Sequence, residues 1–243
     1  MKVLAIDAGN TRIKWGLHEG SGWLARGAVP TTQADALGAA LSPLGRADSI
    51  VIANVAGKAI AKKISLALDG DHAKTRWVVS RPEQCGVRSG YAEPASLGAD
   101  RWAAMIAARR LCAGPCAVVN AGTTMTVDAL SAEGVFLGGF IVPGIELMRE
   151  ALARDTAQLK AQGGRFSFFP DNTGDAIVSG ALNALAGAVD RMVRYIVETG
   201  EDDPLVILSG GNAELLAARM NGRPQLVESL VLDGLVVIGA DDV

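Results

Sequence analysis

At 243 residues the chain exceeds the usual single domain of roughly 100–200 residues, which leaves either one large domain or two smaller ones sharing a cleft. A content of 49% hydrophobic and 20% charged residues describes a globule and excludes a disordered or fibrous chain. With 23 Lys and Arg against 26 Asp and Glu there is no basic footprint for nucleic acid, and charges interrupt every apolar run before the roughly 20 residues of a membrane helix.

The opening Val3–Ile6 is a short β-prone run that ends at Asp7-Ala8-Gly9-Asn10-Thr11, and Ile13–Leu17 resumes alternation. Its apolar stretch is too short for a secretory signal, which makes a cytoplasmic location the expectation. A glycine-rich turn at 18–22 and the run Trp23–Val29 complete a three-strand meander ending at Pro30. Helices are expected at about 33–44 and 57–69, and buried parallel strands at Ser49–Val55 and Arg76–Ser80. An alanine-rich helix follows at Trp102–Leu111.

Near residue 115 the grammar starts again, because Ala117–Thr124 repeats strand then turn. At the Gly9-to-Gly122 offset of 113, Ala8 meets Ala121, Thr11 meets Thr124, Leu17 meets Leu130, Leu24 meets Leu137, Val29 meets Val142 and Pro30 meets Pro143. This is the mark of a duplicated unit. The second copy continues with helices near 145–160 and 174–199, a strand at Leu205–Leu208, a helix at about 212–220 and a final Val236–Ile238 segment. The expected architecture is therefore α/β, with two duplicated lobes, 1–114 and 115–243, and a central cleft. The aromatic stretch Phe166–Pro170 after Gln162-Gly163-Gly164-Arg165 reads as a hairpin, a lid or a dimer contact.

Three cysteines without CxxC and two histidines, His18 and His72, argue against a zinc cage or a histidine triad. Chemistry then rests on carboxylates, lysines, hydroxyls and backbone. A glycine turn between strands lets the backbone approach an anion while amides and the Asn10 and Thr11 side chains donate to it. Asp7, at the strand end, is a candidate Mg²⁺ ligand, directly or through water. Lys14 either adds a positive charge there or is a solvated strand residue, and an ordinary Asx hairpin turn is the alternative for the whole motif.

Ser209-Gly210-Gly211-Asn212 supplies a third glycine-bearing loop, suited to an adenosine. The P-loop, protein-kinase and GxGxxG patterns are absent. The composite resembles the actin-like ATPase (ribonuclease H-like) architecture of sugar kinases and heat-shock ATPases. On the acceptor side, Asp100 is the candidate carboxylate to take a proton from an attacking hydroxyl. The alternative is that Asp100 serves only the helix dipole and Arg101 makes a surface ion pair.

As a set, these motifs resemble the type III pantothenate kinases, which include the Bvg accessory factor-like proteins. The resemblance runs through Asp7–Thr11, Tyr91-x-x-Pro94-x-x-Leu97-Gly98-Ala99-Asp100-Arg101, Gly122-Thr123-Thr124-x-Thr126-Val127-Asp128, Gly138–Gly144, Asn172–Ile177 and Ser209–Asn212. It implies ATP-dependent phosphorylation of the terminal hydroxyl of pantothenate, the first step toward coenzyme A, by an actin-like homodimer. It implies that Asp7, Ala8, Gly9, Asn10, Thr11, Arg12, Ile13 and Lys14 cover the ATP phosphates, with Thr123 also contacting ATP. Tyr91, Gly98, Ala99, Asp100 and Arg101 would hold pantothenate, Asp100 as proton acceptor, and Thr173 would close that pocket, from the same chain or across the dimer.

Where this family shows an aspartate that binds an activating K⁺ or NH₄⁺, the chain has Asn120, which keeps an oxygen and loses the charge. Thr156–Lys160 also lacks a proline expected after Leu159. Two other readings stand beside the kinase: another small-molecule kinase of the same architecture, and a catalytically idle regulatory protein.

Overall fold

The computed structural model describes residues 1–68, 73–156, 159 and 163–241, and the chain forms two compact units. His72, Gln162, the far end of the 57–69 helix and the expected proline position at Lys160 lie outside the described residues. Unit one comprises Met1–Leu111 with Ser229–Val243, and unit two Cys112–Glu228.

Unit one begins with the expected meander: β1 (Lys2–Ala8), β2 (Arg12–Glu19) and β3 (Gly22–Pro30). The stretch 31–44 is broken into 3₁₀ turns flanking a five-residue α1 (Leu37–Leu41), since Pro43 and the left-handed Gly45 (φ 71) end it early. β4 (Ser49–Asn54), α2 (Lys58–Ala67) and β5 (Lys74–Trp77) follow. The sheet order is β3-β2-β1-β4-β5, with β4 parallel to β1 and β5 parallel to β4. The expectation of a buried strand at Arg76–Ser80 is corrected: β5 is an edge with a neighbour on one side, and Trp77 is 37% exposed.

A two-stranded hairpin, β6 (Glu83–Gln84) and β7 (Val87–Ser89), turns through Cys85 (φ 52) and Gly86 (φ 80), the paired left-handed residues of a tight primed turn. It leads to α3 (Ala99–Leu111), which is buried from Arg101 to Ala108.

Unit two repeats the plan. β8 (Cys116–Ala121), β9 (Thr124–Leu130) and β10 (Val135–Pro143) form a second antiparallel meander, followed by α4 (Ile145–Asp155) and α5 (Thr173–Glu198). Then come β11 (Leu205–Ser209), α6 (Ala213–Ala217) and β12 (Gln225–Leu226). The pairing β10-β9-β8-β11-β12, with β11 parallel to β8 and β12 parallel to β11, matches the five strands of unit one in order and direction. β10 ends on Pro143 as β3 ends on Pro30, so the 113-residue offset read from identities is also an offset between strands.

α5 is long and apolar enough, by length and composition, to cross a membrane. Its Leu182, Leu185, Val189, Met192 and Ile196 instead cover Val119, Met125 and Val127 of the sheet, as a core helix does. Before it, Gly163–Pro170 forms no hairpin and runs back along α5, Ser167 donating its backbone N–H to Ser179 Oγ at 2.9 Å. The Arg219 guanidinium stacks 3.8 Å from the Phe166 ring centre, whereas Phe168 and Phe169 are 84% and 93% exposed.

The chain ends in α7 (Leu230–Ala240), and here the two-lobe division at 114/115 departs from the structure. The chain from Ser229 through α7 groups with unit one, and Val236–Ile238 is helical. The reason is a helix apolar on nearly all sides, which must be enclosed. Leu230, Leu235 and Ile238 are buried, worth roughly 1.5–3 kcal/mol each. Gly234 lies so close to the Ala103 carbonyl of α3 that a Cβ has no room. Three polar ties fix the helix: Trp23 Nε1 to Asp233 Oδ1 at 3.0 Å, Arg26 Nη1 to Ser229 Oγ at 2.9 Å and Arg76 Nη1 to the Ile238 carbonyl at 2.8 Å.

Candidate active site

In unit one, β1 and β2 pair up to Ala8 and Ile13, and Gly9 N–H donates to the Arg12 carbonyl at 3.1 Å to close the turn. Thr31, which the sequence does not single out, anchors it from the end of β3. Its hydroxyl donates to the Gly9 carbonyl at 2.7 Å and its N–H to the Thr11 carbonyl at 2.9 Å. Ala8 and Ile13 are fully buried, so only their backbone is available to a ligand, while Asn10, Thr11 and Arg12 are exposed.

Asp7 is the buried acid at the mouth of this turn, 9% exposed and directly opposite Lys14 in the ladder. Burial and, next, the nearby charge of Asp100 push its carboxyl up to about 7, against the opposing pull of Lys14. Asp100 is raised too, mainly by burial, although the Arg101 backbone N–H and guanidinium favour its charged form. Two carboxylates that feel each other in a desolvated place leave a deficit of positive charge.

The first turn of α3 holds Asp100 in place. Gly98 accepts the Trp102 N–H at 3.0 Å, and Asp100 Oδ1 accepts the Arg101 N–H at 2.8 Å. Asp100 therefore does favour the helix terminus, as the alternative reading held, but it also faces Asp7. A Cβ on Gly98 would sit 2.6 Å from Asp100 Oδ1 and 3.8 Å from Val55 Cγ1, which places Val55 of the β4–α2 loop beside the acid. The surface ion pair considered for Arg101 is corrected: the residue is 6% exposed, donates from Nη1 to the Tyr91 hydroxyl at 3.1 Å and lies 5.8 Å from the Tyr91 ring centre. Burial of the following helical residues draws its base inward.

In unit two the corresponding turn is closed by Gly122 N–H to the Thr124 carbonyl at 3.1 Å and anchored by Gly144 N–H to the Thr123 carbonyl at 2.9 Å. Gly144 stands 113 residues after Thr31, so the backbone part of the anchor recurs, one residue earlier in the turn and without the hydroxyl bond. Thr123 is exposed, and Asn120 is half-buried near the end of β8, level with Thr126 and Ser209. Gly210 has φ 105, and a Cβ there would come within 2.5 Å of the Ala121 carbonyl oxygen. Beside it lies a cavity of about 450 Å³ lined by residues that include Leu208, Gly210, Gly211, Leu226 and the acids Glu214 and Glu228.

Thr173 belongs to unit two. It begins α5, is exposed, and rims an apolar cavity of about 590 Å³ with Met148, Leu152 and Ile177. Of the site residues expected from sequence, unit one thus gathers Asp7, Lys14, Tyr91, Gly98, Ala99, Asp100 and Arg101. Unit two gathers Asn120 and Thr123. Thr31 and Val55 lie outside the motifs read from the sequence; at the 113-residue offset Thr31 meets a glycine, so no identity marks it.

Comparison with known proteins supplies the context. The family model described as type III pantothenate kinase matches residues 3–195. A type III pantothenate kinase of Aromatoleum aromaticum is 48% identical over 240 residues, covering 99% of this chain and 98% of that protein. Another, of Nitrosospira multiformis, is 44% identical over 239 residues, covering 98% and 91%. Among solved structures, a Baf family protein from Campylobacter jejuni described as a transcriptional activator superposes with a TM-score of 0.62 at 20% identity, covering 97% of this chain and 96% of that one. The ROK hexokinase of Thermus thermophilus does so with 0.50 at 17%, covering 99% of each. The fold is that of the actin-like ATPases and sugar kinases. From the match over most of its length, and from relatives well above the identity at which fold and family part company, the chain belongs to the type III pantothenate kinase family.

Proposed function

We propose that the protein transfers the γ-phosphoryl group of ATP to the terminal hydroxyl of pantothenate, the first step toward coenzyme A, as a cytoplasmic homodimer. The observation that carries this reading is the buried Asp7, raised in part by the charge of the half-buried Asp100, with the Arg101–Tyr91 contact next along α3, in a chain of this family.

Asp7 to Lys14 take the triphosphate, Thr123 adds a contact, and the cavity at Gly210–Gly211 takes the adenosine. The mutually repelling acids fit a divalent cation, and Asp7, directly or through a water, would hold Mg²⁺. Such an ion supplies neutralising charge to the transferring phosphoryl group. At Asn120 a carbonyl oxygen without charge is a weaker host for K⁺ or NH₄⁺.

Tyr91, Gly98 and Ala99 line the pantothenate side, Arg101 meets the substrate carboxylate, and Thr173 closes the pocket from the same chain or across the dimer. Asp100 accepts the proton of the attacking hydroxyl as its oxygen bonds to the γ-phosphorus. The bond from that phosphorus to the β–γ bridging oxygen breaks, and ADP leaves. Burial helps here, because a carboxylate raised toward neutrality is a better proton acceptor than an ordinary one.

The test is incubation of purified protein with ATP, Mg²⁺ and K⁺ or NH₄⁺ across pantothenate, simple sugars and acetate. Phosphopantothenate should form with pantothenate alone. Absence of pantothenate-dependent ADP release under every cation would overturn the proposal.

A further inference from the structure

The β6–β7 hairpin has no part in the chemistry described so far, yet it reaches the helix that carries Asp100. Its Gln84 is 7% exposed and its Oε1 accepts the indole N–H of Trp102 at 3.0 Å. Trp102 is fully buried and follows Asp100 and Arg101 directly, in the first turn of α3. A buried indole N–H has one donor and needs one acceptor, so this bond sets where the side chain sits and how the first turn is rotated.

The same excursion touches α3 at two further points. At the tip, a Cβ on Gly86 would lie 3.9 Å from Arg109 Cγ, two turns along the helix. Beyond β7, Ser89 Oγ accepts the Tyr91 N–H at 3.3 Å, and the Tyr91 hydroxyl accepts from Arg101. The hairpin is thus laid along α3 from Arg109 to its N-terminal turn, and the polar contacts fall where the acid and the arginine are.

The geometry points to Gln84 as a positioning residue for phosphoryl transfer: through its hydrogen bond to Trp102 it holds the first turn of α3 so that Asp100 and Arg101 present correctly to the acceptor substrate. The inference rests on the proposed role of Asp100 and Arg101 in handling pantothenate. It adds a residue 16 positions upstream of Asp100 that touches neither substrate. A small rotation of a base out of hydrogen-bond reach costs rate even when every reacting group is retained.

The experiment is a double-mutant cycle on the full chain with Gln84→Met, which keeps length and loses the acceptor, and Trp102→Phe, which keeps an aromatic ring and loses the donor. Kinetics are run well below each variant's unfolding temperature. Each single variant is expected to lower kcat/KM for pantothenate about tenfold with KM for ATP within about twofold of wild type. The double variant should lose no more than the singles, since both remove the same bond. Gln84→Glu, which retains an acceptor, should recover most of the rate lost in Gln84→Met.

A folded Gln84→Met protein with wild-type pantothenate kinetics overturns the inference, as do single losses that multiply in the double variant, or a KM for ATP raised well beyond twofold. Wild-type protein without pantothenate turnover would bring down the proposed function and this inference with it. Active wild type beside an unaffected Gln84→Met brings down this inference alone.

Discussion

Replacing Asp7 by Asn should stabilise the protein at neutral to alkaline pH while removing its activity. An unfolded aspartate titrates near 3.8, and Asp7 in the fold is raised to about 7 by burial and by Asp100. Below pH 3.8 both states are protonated and the favourable contribution of the neutral group is fully present. Between 3.8 and about 7 the folded state keeps a proton that the unfolded state has lost, so stability falls as pH rises, by about 1.4 kcal/mol per pH unit from this group. Above about 7 the loss is complete and amounts to at most ~4 kcal/mol. The amide of the Asp7→Asn variant does not titrate, so its advantage over wild type should widen by roughly 2–3 kcal/mol between about pH 5 and pH 8. Urea unfolding of both proteins at these two pH values, with chelator present and nucleotide absent, measures the gap. A gap that stays constant or narrows would refute the claim that burial and the second acid outweigh the pull of Lys14 on Asp7. Addition of Mg²⁺ and ATP at about pH 8 should then stabilise wild type more than the variant, because binding to the folded state alone raises stability.

Gly210→Ala forces a side chain into a backbone with φ 105 and to within 2.5 Å of the Ala121 carbonyl. Steady-state kinetics should show KM for ATP raised about fivefold or more, with KM for pantothenate little changed, and thermal unfolding should move down by the equivalent of roughly 1–3 kcal/mol. Asn120→Asp restores a full charge at the proposed monovalent-cation position. Titration with K⁺ and NH₄⁺ should show activation at lower concentration than in wild type, whereas strict K⁺ activation saturating at low concentration in the wild-type protein would contradict the role given to Asn120.

Much of this arrangement is legible in the residues, for local reasons. The two meanders show because strand alternation, a glycine turn and a closing proline all lie within about 30 residues, and the second copy repeats them without a gap. Asp7 and Asp100 show because each ends or begins an element at a recognisable motif. What does not show depends on distant partners. Val236–Ile238 is too short an apolar run to separate helix from strand, and its place in unit one depends on Gly234 meeting Ala103, far away in sequence. The alternative of a surface ion pair for Arg101 arises because Arg is usually exposed, and its burial beside the Tyr91 hydroxyl depends on the packed helix behind it. Thr31 acts by donating its hydroxyl and N–H to carbonyls of a turn about 20 residues earlier, which its own neighbours in sequence do not announce.

The most direct test of the account is single-turnover phosphoryl transfer by Asp100→Asn, with labelled ATP and saturating pantothenate, alongside a direct titration of ATP binding. The amide keeps the shape and the Arg101 N–H contact of Asp100 but cannot accept the proton. The account predicts transfer slowed at least ~10²-fold with ATP affinity retained. Transfer at close to the wild-type rate would contradict it.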